Sequence, residues 1–208
     1  MNLPDFQVLT GQELHDDLKP YVEEAPFGKM LRHPLVYQVP LGITGYANLY
    51  YEQKLKDVKD ALDGRKYQTY VWLHERPYRL EAFSEIEHLL DDKEYWKLLG
   101  EIWVDTENAW AHLELWKKFF NSSRAFREYL MDSEEQALYQ SLGDMETVYR
   151  GCQKGINEDG VSWTLKKDKA QWFATRFGKE GKVLEMRIKK EKIVAVFTGR
   201  NEAEVVVL

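Results

Sequence analysis

The hydrophobic pattern of this chain changes near residue 145, and this change restricts the folds that the chain can adopt. Up to that point, apolar residues recur at steps of three and four, as they do along one face of an amphipathic helix. Beyond it, Leu184, Met186 and Ile188 alternate with charged residues, as in a half-buried strand. The pattern predicts an α+β protein with a mostly helical region, residues 1–145, followed by a strand-rich region, residues 146–208.

The strand-rich region is too short to bury a large core by itself, because small domains bury a low fraction of their surface. We therefore expect the helical region to share a core with it. The predicted fold is a helical part that packs on a small mixed β-sheet.

Within the helical region, five prolines interrupt the first forty residues, which predicts short helices and turns there. They are Pro4, Pro20, Pro26, Pro34 and Pro40. A long amphipathic helix is predicted over residues 46–62. Ser84, with Glu87 three residues later, has the spacing of a capping box and predicts a helix that begins at Ser84.

Four tryptophans recur at helical spacing in the second half of the helical region. They are Trp96, Trp103, Trp110 and Trp116. Aromatic residues at this spacing are usually packing surfaces of helices. All four are therefore predicted to lie in the core rather than to stack on a cofactor.

The composition excludes several classes of protein. With 44% hydrophobic and 13% aromatic residues, the chain is not intrinsically disordered. Its single cysteine, Cys152, can neither close an intramolecular disulfide nor build a thiolate metal cage. Glu85 and His88 form one Glu-x-x-His pair, which is only half of a di-iron motif, so no metal site is predicted.

The sequence has neither a long apolar run nor the features of a secretory signal, so a cytoplasmic protein without membrane contact is expected. The net charge of -6 is unevenly distributed. Residues 146–208 hold 13 basic and 9 acidic side chains, a net charge of +4, which leaves -10 for residues 1–145. A mildly basic region could hold a small phosphate-bearing ligand, whereas broad binding of nucleic acid would need clustered Lys and Arg.

Two glutamates near the C-terminus are the first candidates for chemistry. Glu202 and Glu204 lie two positions apart at the start of a predicted strand, so their carboxylates are expected to share one face. Adjacent carboxylates repel each other, and such a pair is typical of a site for a cation or a positively charged transition state. The alternative is a solvated strand end.

Two further groups of polar residues flank the predicted strands. Arg150, at the end of a short strand, could clasp a phosphate, and Gly151 beside it would let a ligand approach the backbone closely. The hydroxyls of Ser162 and Thr164 could orient a ligand or simply cap the helix that follows. Tyr149 and Trp163 could each offer a face to an aromatic ring or belong to the core.

In this order, the segments resemble the ADP-ribosyltransferase fold, in the class with an arginine, serine and glutamate signature. The matching residues are 148–151 (VYRG), 160–164 (GVSWT), 170–174 (AQWFA) and 200–207 (RNEAEVVV). The resemblance covers the strand-rich region alone. The whole chain also resembles phage and bacterial proteins, which implies the cytoplasm of a bacterial cell.

The resemblance implies NAD as co-substrate and a role for each matching residue. Arg150 would support NAD near its phosphates, Ser162 would hold the nicotinamide ribose, and Glu204 would bond the ribose 2′-hydroxyl. Glu202 would complete an E-x-E motif, which implies protein arginine as the acceptor. Cleavage of the bond between nicotinamide and ribose creates an oxocarbenium-like centre that a fixed carboxylate such as Glu204 can stabilise.

Several functions remain open from the sequence. Transfer of ADP-ribose to a protein is the first, and a nucleic-acid base, a small molecule or water could also be the acceptor, water giving an NAD glycohydrolase. A second possibility is a non-catalytic protein that binds a protein partner through its Trp-rich helices and has lost NAD binding because the link between Arg150 and Ser162 is short. A plain structural module is the third, and the oligomeric state is undetermined.

Overall fold

The computed structural model describes residues 12–208 apart from residues 27, 154, 177, 179, 180, 200 and 201. The protein is α+β, as predicted. It forms two compact units, one ending at Leu89 and the other beginning at Leu90. The change of pattern at residue 145 therefore lies inside the second unit and does not mark the boundary between the units.

The first unit contains a three-stranded antiparallel sheet that the sequence analysis did not predict. The strands are β1 (Val22–Ala25), β2 (Gly28–His33) and β3 (Val36–Pro40), in the order β1-β2-β3. The prediction of short helices and turns was wrong here because the prolines lie where a sheet tolerates them. Pro26 and Pro34 occupy turns, and Pro40 is the last residue of its strand, so no central position of the sheet loses its amide donor.

Three helices follow this sheet: α1 (Thr44–Asp63), α2 (Tyr67–Leu73) and α3 (Arg79–Ile86). The helix predicted over residues 46–62 is confirmed. The core of the unit joins the sheet to α1 through buried side chains that include Leu31, Val36 and Ala47. Together these contacts give the first unit a core of its own.

The predicted capping box at Ser84 is wrong, because Ser84 lies inside α3. That helix starts earlier, after the 3-10 turn Arg76–Tyr78. Two other residues make complete capping boxes, with side chain and backbone satisfying each other at the helix start. Asp91 caps α4 (Asp92–Asp105), and Asp132 caps α6 (Ser133–Ser141).

The second unit adds two further helices, α5 (Leu113–Phe120) and α7 (Lys167–Thr175), and a five-stranded sheet. The strands are β4 (Met145–Gln153), β5 (Ser162–Thr164), β6 (Gly181–Lys189), β7 (Ile193–Phe197) and β8 (Glu204–Val207). Their order is β6-β4-β5-β8-β7. Each adjacent pair is antiparallel, so the prediction of a mixed sheet is wrong. The links from β4 to β5 and from β7 to β8 are too short for the crossover that a parallel pair requires.

Helices and sheet share the core of the second unit. Trp96 and Trp116 are fully buried, and Trp103 is nearly so. The ring of Trp103 packs edge-on against Trp116, with centroids 4.8 Å apart, and against Phe120 at 5.2 Å. The prediction of core positions is thus confirmed for three of the four tryptophans, and Trp110 is the exception.

Candidate functional site

The eight residues singled out from the sequence line one cleft in the second unit. The cleft has a volume of about 770 Å³, within the usual range for ligand sites. The eight residues are Tyr149, Arg150, Gly151, Ser162, Trp163, Thr164, Glu202 and Glu204. A second group of lining residues, between Trp103 and Trp110, comes from the end of α4 and the chain that follows it.

Strand pairing brings the three motifs together. Tyr149 of β4 pairs with Thr164 of β5, and Thr164 pairs in turn with Glu204 of β8. Because neighbouring residues of adjacent strands lie about 5 Å apart, this register closes more than fifty residues of sequence into one local patch. The three motifs, which are separate along the chain, therefore lie side by side on the adjacent strands β4, β5 and β8.

Arg150 anchors the turn that connects β4 to β5. Its Nε and Nη2 donate to the carbonyl oxygen of Asn157 at 3.0 and 2.8 Å, and its Nη1 donates to the carbonyl of Ser162. A Cβ on Gly160 would lie 2.1 Å from Nη2, so a side chain at this position would displace the guanidinium from where it lies. At least three of the five N–H donors of Arg150 thus bond to backbone carbonyls. Only the remaining donors could bind the phosphate that the sequence analysis assigned to this residue.

Burial lowers the pKa of Arg150 below its ordinary value, and the nearby carboxylates of Asp159 and Glu204 counteract this shift. Because arginine titrates so far above neutrality, the guanidinium keeps its charge. The cleft therefore contains a fixed positive charge close to the backbone of Ser162.

Ser162 and Glu204 are in direct contact. The Ser162 hydroxyl donates a hydrogen bond to Oε1 of Glu204, across the pair of strands β5 and β8. Both side chains are half-buried. One carboxylate oxygen of the candidate catalytic glutamate is thus held in place before any ligand arrives.

Thr164 and Trp163 are fixed by the local backbone. The buried Thr164 hydroxyl donates to the carbonyl of Glu202 at 2.5 Å and accepts the amide of Lys166 at 3.0 Å. The indole Nε1 of Trp163 donates to the carbonyl of Gly160 at 3.1 Å. Thr164 therefore ties the segment before β8 to the start of α7, and Trp163 is oriented by the same turn that Arg150 anchors.

Glu202 lines the cleft although it does not lie in the strand β8. The strand β8 begins at Glu204, so Glu202 lies before it, and Ala203 between them has a φ of 43°, in the left-handed region. The expectation that both carboxylates share a face because they alternate along a strand is wrong. Both line the cleft nevertheless, because the backbone turns at Ala203.

The segment that leads to Glu202 is held by helix α6. The Glu135 carboxylate, only 8% exposed, accepts the amide of Thr198 through Oε1 at 2.9 Å. Its other oxygen, Oε2, accepts a hydrogen bond from the backbone amide of Asp132 at 3.0 Å as part of the capping box. One buried carboxylate thus joins the start of a helix to the end of β7.

Gly151 has a role different from the one expected. A Cβ at this position would lie 1.9 Å from the carbonyl oxygen of Ala170 and 2.7 Å from the amide nitrogen of Ala174. The missing side chain therefore admits helix α7, which packs its backbone directly against β4. Gly151 still lines the cleft, but the space at its Cα is taken by the helix and is not open to a ligand.

Sequence reasoning missed the second group of lining residues. Trp110 was assigned to the core, yet it is 54% exposed and faces the cleft together with Thr106, Glu107 and Asn108. Helix α4 ends at Asp105, so the helical phase that buries Trp103 does not continue to Trp110. The sequence DTEN at 105–108, poor in helix-forming residues, was the signal that could have revealed this break.

Comparisons with protein-family models, with curated proteins and with solved structures found no match to this chain. Among the described residues, no helix is both long enough and apolar enough to cross a membrane. Glu85, considered above as half of a metal motif, accepts a hydrogen bond from the Tyr70 hydroxyl.

Proposed function

We propose that this protein is an NAD-dependent mono-ADP-ribosyltransferase whose site is the cleft of the second unit. The observation that carries the proposal is the hydrogen bond from Ser162 to Glu204, beside the anchored guanidinium of Arg150. These are the serine, glutamate and arginine of the resemblance. They come from three adjacent strands and line the same cleft.

In the proposed reaction, the bond between C1′ of the ribose and the nicotinamide nitrogen breaks, and nicotinamide leaves with the electron pair. The ribose becomes oxocarbenium-like, and the Glu204 carboxylate stabilises its positive charge. Ser162 supports this step by holding one oxygen of Glu204, so that less reorganisation is needed as charge develops.

The acceptor then forms a new bond to C1′ and loses a proton. Glu202 lines the same cleft and is the carboxylate available to bind an arginine guanidinium and take that proton. A protein arginine is thus the proposed acceptor. Water in its place would make the protein an NAD glycohydrolase.

The tryptophans do not by themselves decide against the non-catalytic alternative. Trp96, Trp103 and Trp116 are each at most 4% exposed, whereas Trp110 is 54% and Trp172 is 55% exposed and could contact a partner. The preference for the enzyme rests on the cleft and its fixed carboxylate.

The test is nicotinamide release from NAD by the purified protein, with and without bacterial lysate as a source of acceptors. Glu204→Gln keeps an oxygen for the Ser162 hydroxyl but removes the charge, so we expect release to fall about 100- to 1,000-fold. Glu191→Gln, an exposed glutamate on the turn Lys190–Lys192, serves as the matched control and should behave like wild type.

Mass spectrometry of the same reactions locates the ADP-ribose. Glu202→Gln should reduce its transfer to arginine while nicotinamide release continues, because only the acceptor step uses this carboxylate. The proposal fails if wild type releases no nicotinamide in either condition, and the melting temperature with NAD then shows whether the cleft binds NAD without cleaving it. Release with free ADP-ribose as the sole product would assign the glycohydrolase activity instead.

A further inference from the structure

The segment Thr106–Trp110 contributes a second surface to the cleft, and its chemistry differs from that of the strands. Residues 103–110 read WVDTENAW, with two acidic residues and neither Lys nor Arg. The basic residues that line the cleft among the described residues are Arg150 and Arg176. Phosphate groups of a ligand are therefore drawn to those arginines, and this segment suits an uncharged part of the ligand.

Trp110 supplies an aromatic face in this segment. It is 54% exposed although it lines a cleft, and an indole in such a place can stack on a planar ring. Stacking of a nucleic-acid base on an aromatic side chain is largely independent of which base it is, and truncating the side chain typically weakens binding about 5- to 150-fold.

Asn108 supplies a polar group close in sequence to that face. Asn108 also lines the cleft, and its carboxamide makes no capping hydrogen bond to the 3-10 turn Ala109–His112 that it precedes. A carboxamide has one donor and one acceptor side, which matches the N6 amino group and N7 of adenine.

The backbone around these side chains is held at its N-terminal end. The Thr106 hydroxyl donates to the carbonyl of Ile102 at 2.7 Å and closes the end of α4. The preceding Trp103 packs against Trp116 and Phe120 in the core. Because the start of the segment is already ordered, a ligand that stacks on Trp110 incurs a smaller loss of conformational entropy.

We infer that Trp110 and Asn108 form the adenine subsite of the cleft. The inference rests on the proposed function, which assigns the nicotinamide ribose to Ser162 and Glu204 and leaves the adenine end of NAD without a partner. Adenine is planar, uncharged and edged with donors and acceptors, which are the properties that this segment can recognise.

Calorimetric titration of the full chain with NAD, AMP and nicotinamide mononucleotide tests the inference. AMP is the adenine nucleotide half of NAD, and nicotinamide mononucleotide is the other half. Trp110→Ala should weaken binding of NAD and of AMP by a similar factor, roughly 5- to 100-fold, and leave nicotinamide mononucleotide unaffected. Trp110→Phe, which keeps an aromatic face, should recover most of the affinity.

Phe126→Ala is the control, because Phe126 is an aromatic residue of the same unit, is 48% exposed and does not line the cleft. Its affinity for all three ligands should equal that of wild type. Melting temperatures of each variant establish that it is folded.

The outcomes separate this inference from the proposed function. Equal affinities of Trp110→Ala and wild type, no AMP binding by wild type, or a loss confined to nicotinamide mononucleotide would each overturn the adenine subsite. If AMP binding depends on Trp110 but wild type releases no nicotinamide, the subsite stands and the enzymatic proposal fails. If wild type releases nicotinamide and the Trp110→Ala variant has the same KM for NAD as wild type, the enzymatic proposal stands and the subsite is wrong.

Discussion

Replacing Glu135 with glutamine tests whether one buried carboxylate joins helix α6 to the strand that leads toward Glu202. The carboxylate accepts two backbone amides, those of Thr198 at 2.9 Å and Asp132 at 3.0 Å. Glutamine is nearly the same size and keeps one acceptor oxygen. Its NH2 group is a donor and leaves one of the two amides without an acceptor.

The size of the effect follows from these two contacts. A hydrogen bond to a charged group contributes about 1.5–3 kcal/mol. Thr198 and Asp132 are exposed residues, so water can reach an amide that loses its acceptor, and we expect the free energy of unfolding of the second unit to fall by about 2 kcal/mol. With a urea m value of about 2 kcal/mol/M, the midpoint of unfolding falls by about 1 M.

Tryptophan fluorescence during urea denaturation measures this change, because every tryptophan except Trp72 belongs to the second unit. The matched control is Glu134→Gln. Glu134 is exposed and also lies in the first turn of α6, so both variants lose the same favourable interaction with the helix dipole. Equal midpoints for the two variants would refute the argument that the buried contact stabilises this unit.

Two further predictions concern other parts of the chain. Burial lowers the pKa of His33 to about 4, so between pH 6.5 and 4 the unfolded chain binds a proton that the folded chain does not. The free energy of unfolding should fall by about 3 kcal/mol as the pH drops through this window. Thermal melts should show that the His33→Asn variant loses less stability than wild type over the same window. An equal loss of stability in both proteins would contradict the lowered pKa of His33. Gly151→Ala would bring a Cβ to 1.9 Å from the Ala170 carbonyl oxygen and should destabilise the second unit by about 3 kcal/mol. Gly143→Ala, whose Cβ would meet its nearest atom at 3.6 Å, should change the urea midpoint little, and similar midpoints for the two glycine variants would mean that helix α7 does not pack as described.

The strands of the second unit were predictable because each carries its pattern within a few residues. The alternation along β6 is a local feature, and this strand forms where the sequence predicts it. The sheet of the first unit was missed because prolines were taken to exclude strands. The position of Pro40 at a strand end depends on which residues pair, and pairing is not a local property.

The candidate site divides in the same way. The residue types of the three motifs and their order along the chain can be read from the sequence, and the antiparallel register then brings Arg150, Ser162 and Glu204 together. The sequence does not show that helix α7 fills the space at Gly151, because that depends on how the helix packs. Nor does it show which carbonyls Arg150 bonds, because that depends on the turn before β5.

The sequence by itself determined the α+β class, the long helix α1, the strands β4, β6 and β8, and the polar residues that line the cleft. Only the tertiary structure decided that the sheet is antiparallel, that Ala203 turns the chain so that Glu202 reaches the cleft, and that Trp110 lies in the cleft instead of the core. The physical reason is the distance along the chain over which each effect acts. Periodicity and capping act over a few neighbouring residues, whereas a cleft is formed by the packing of segments that lie far apart in the chain.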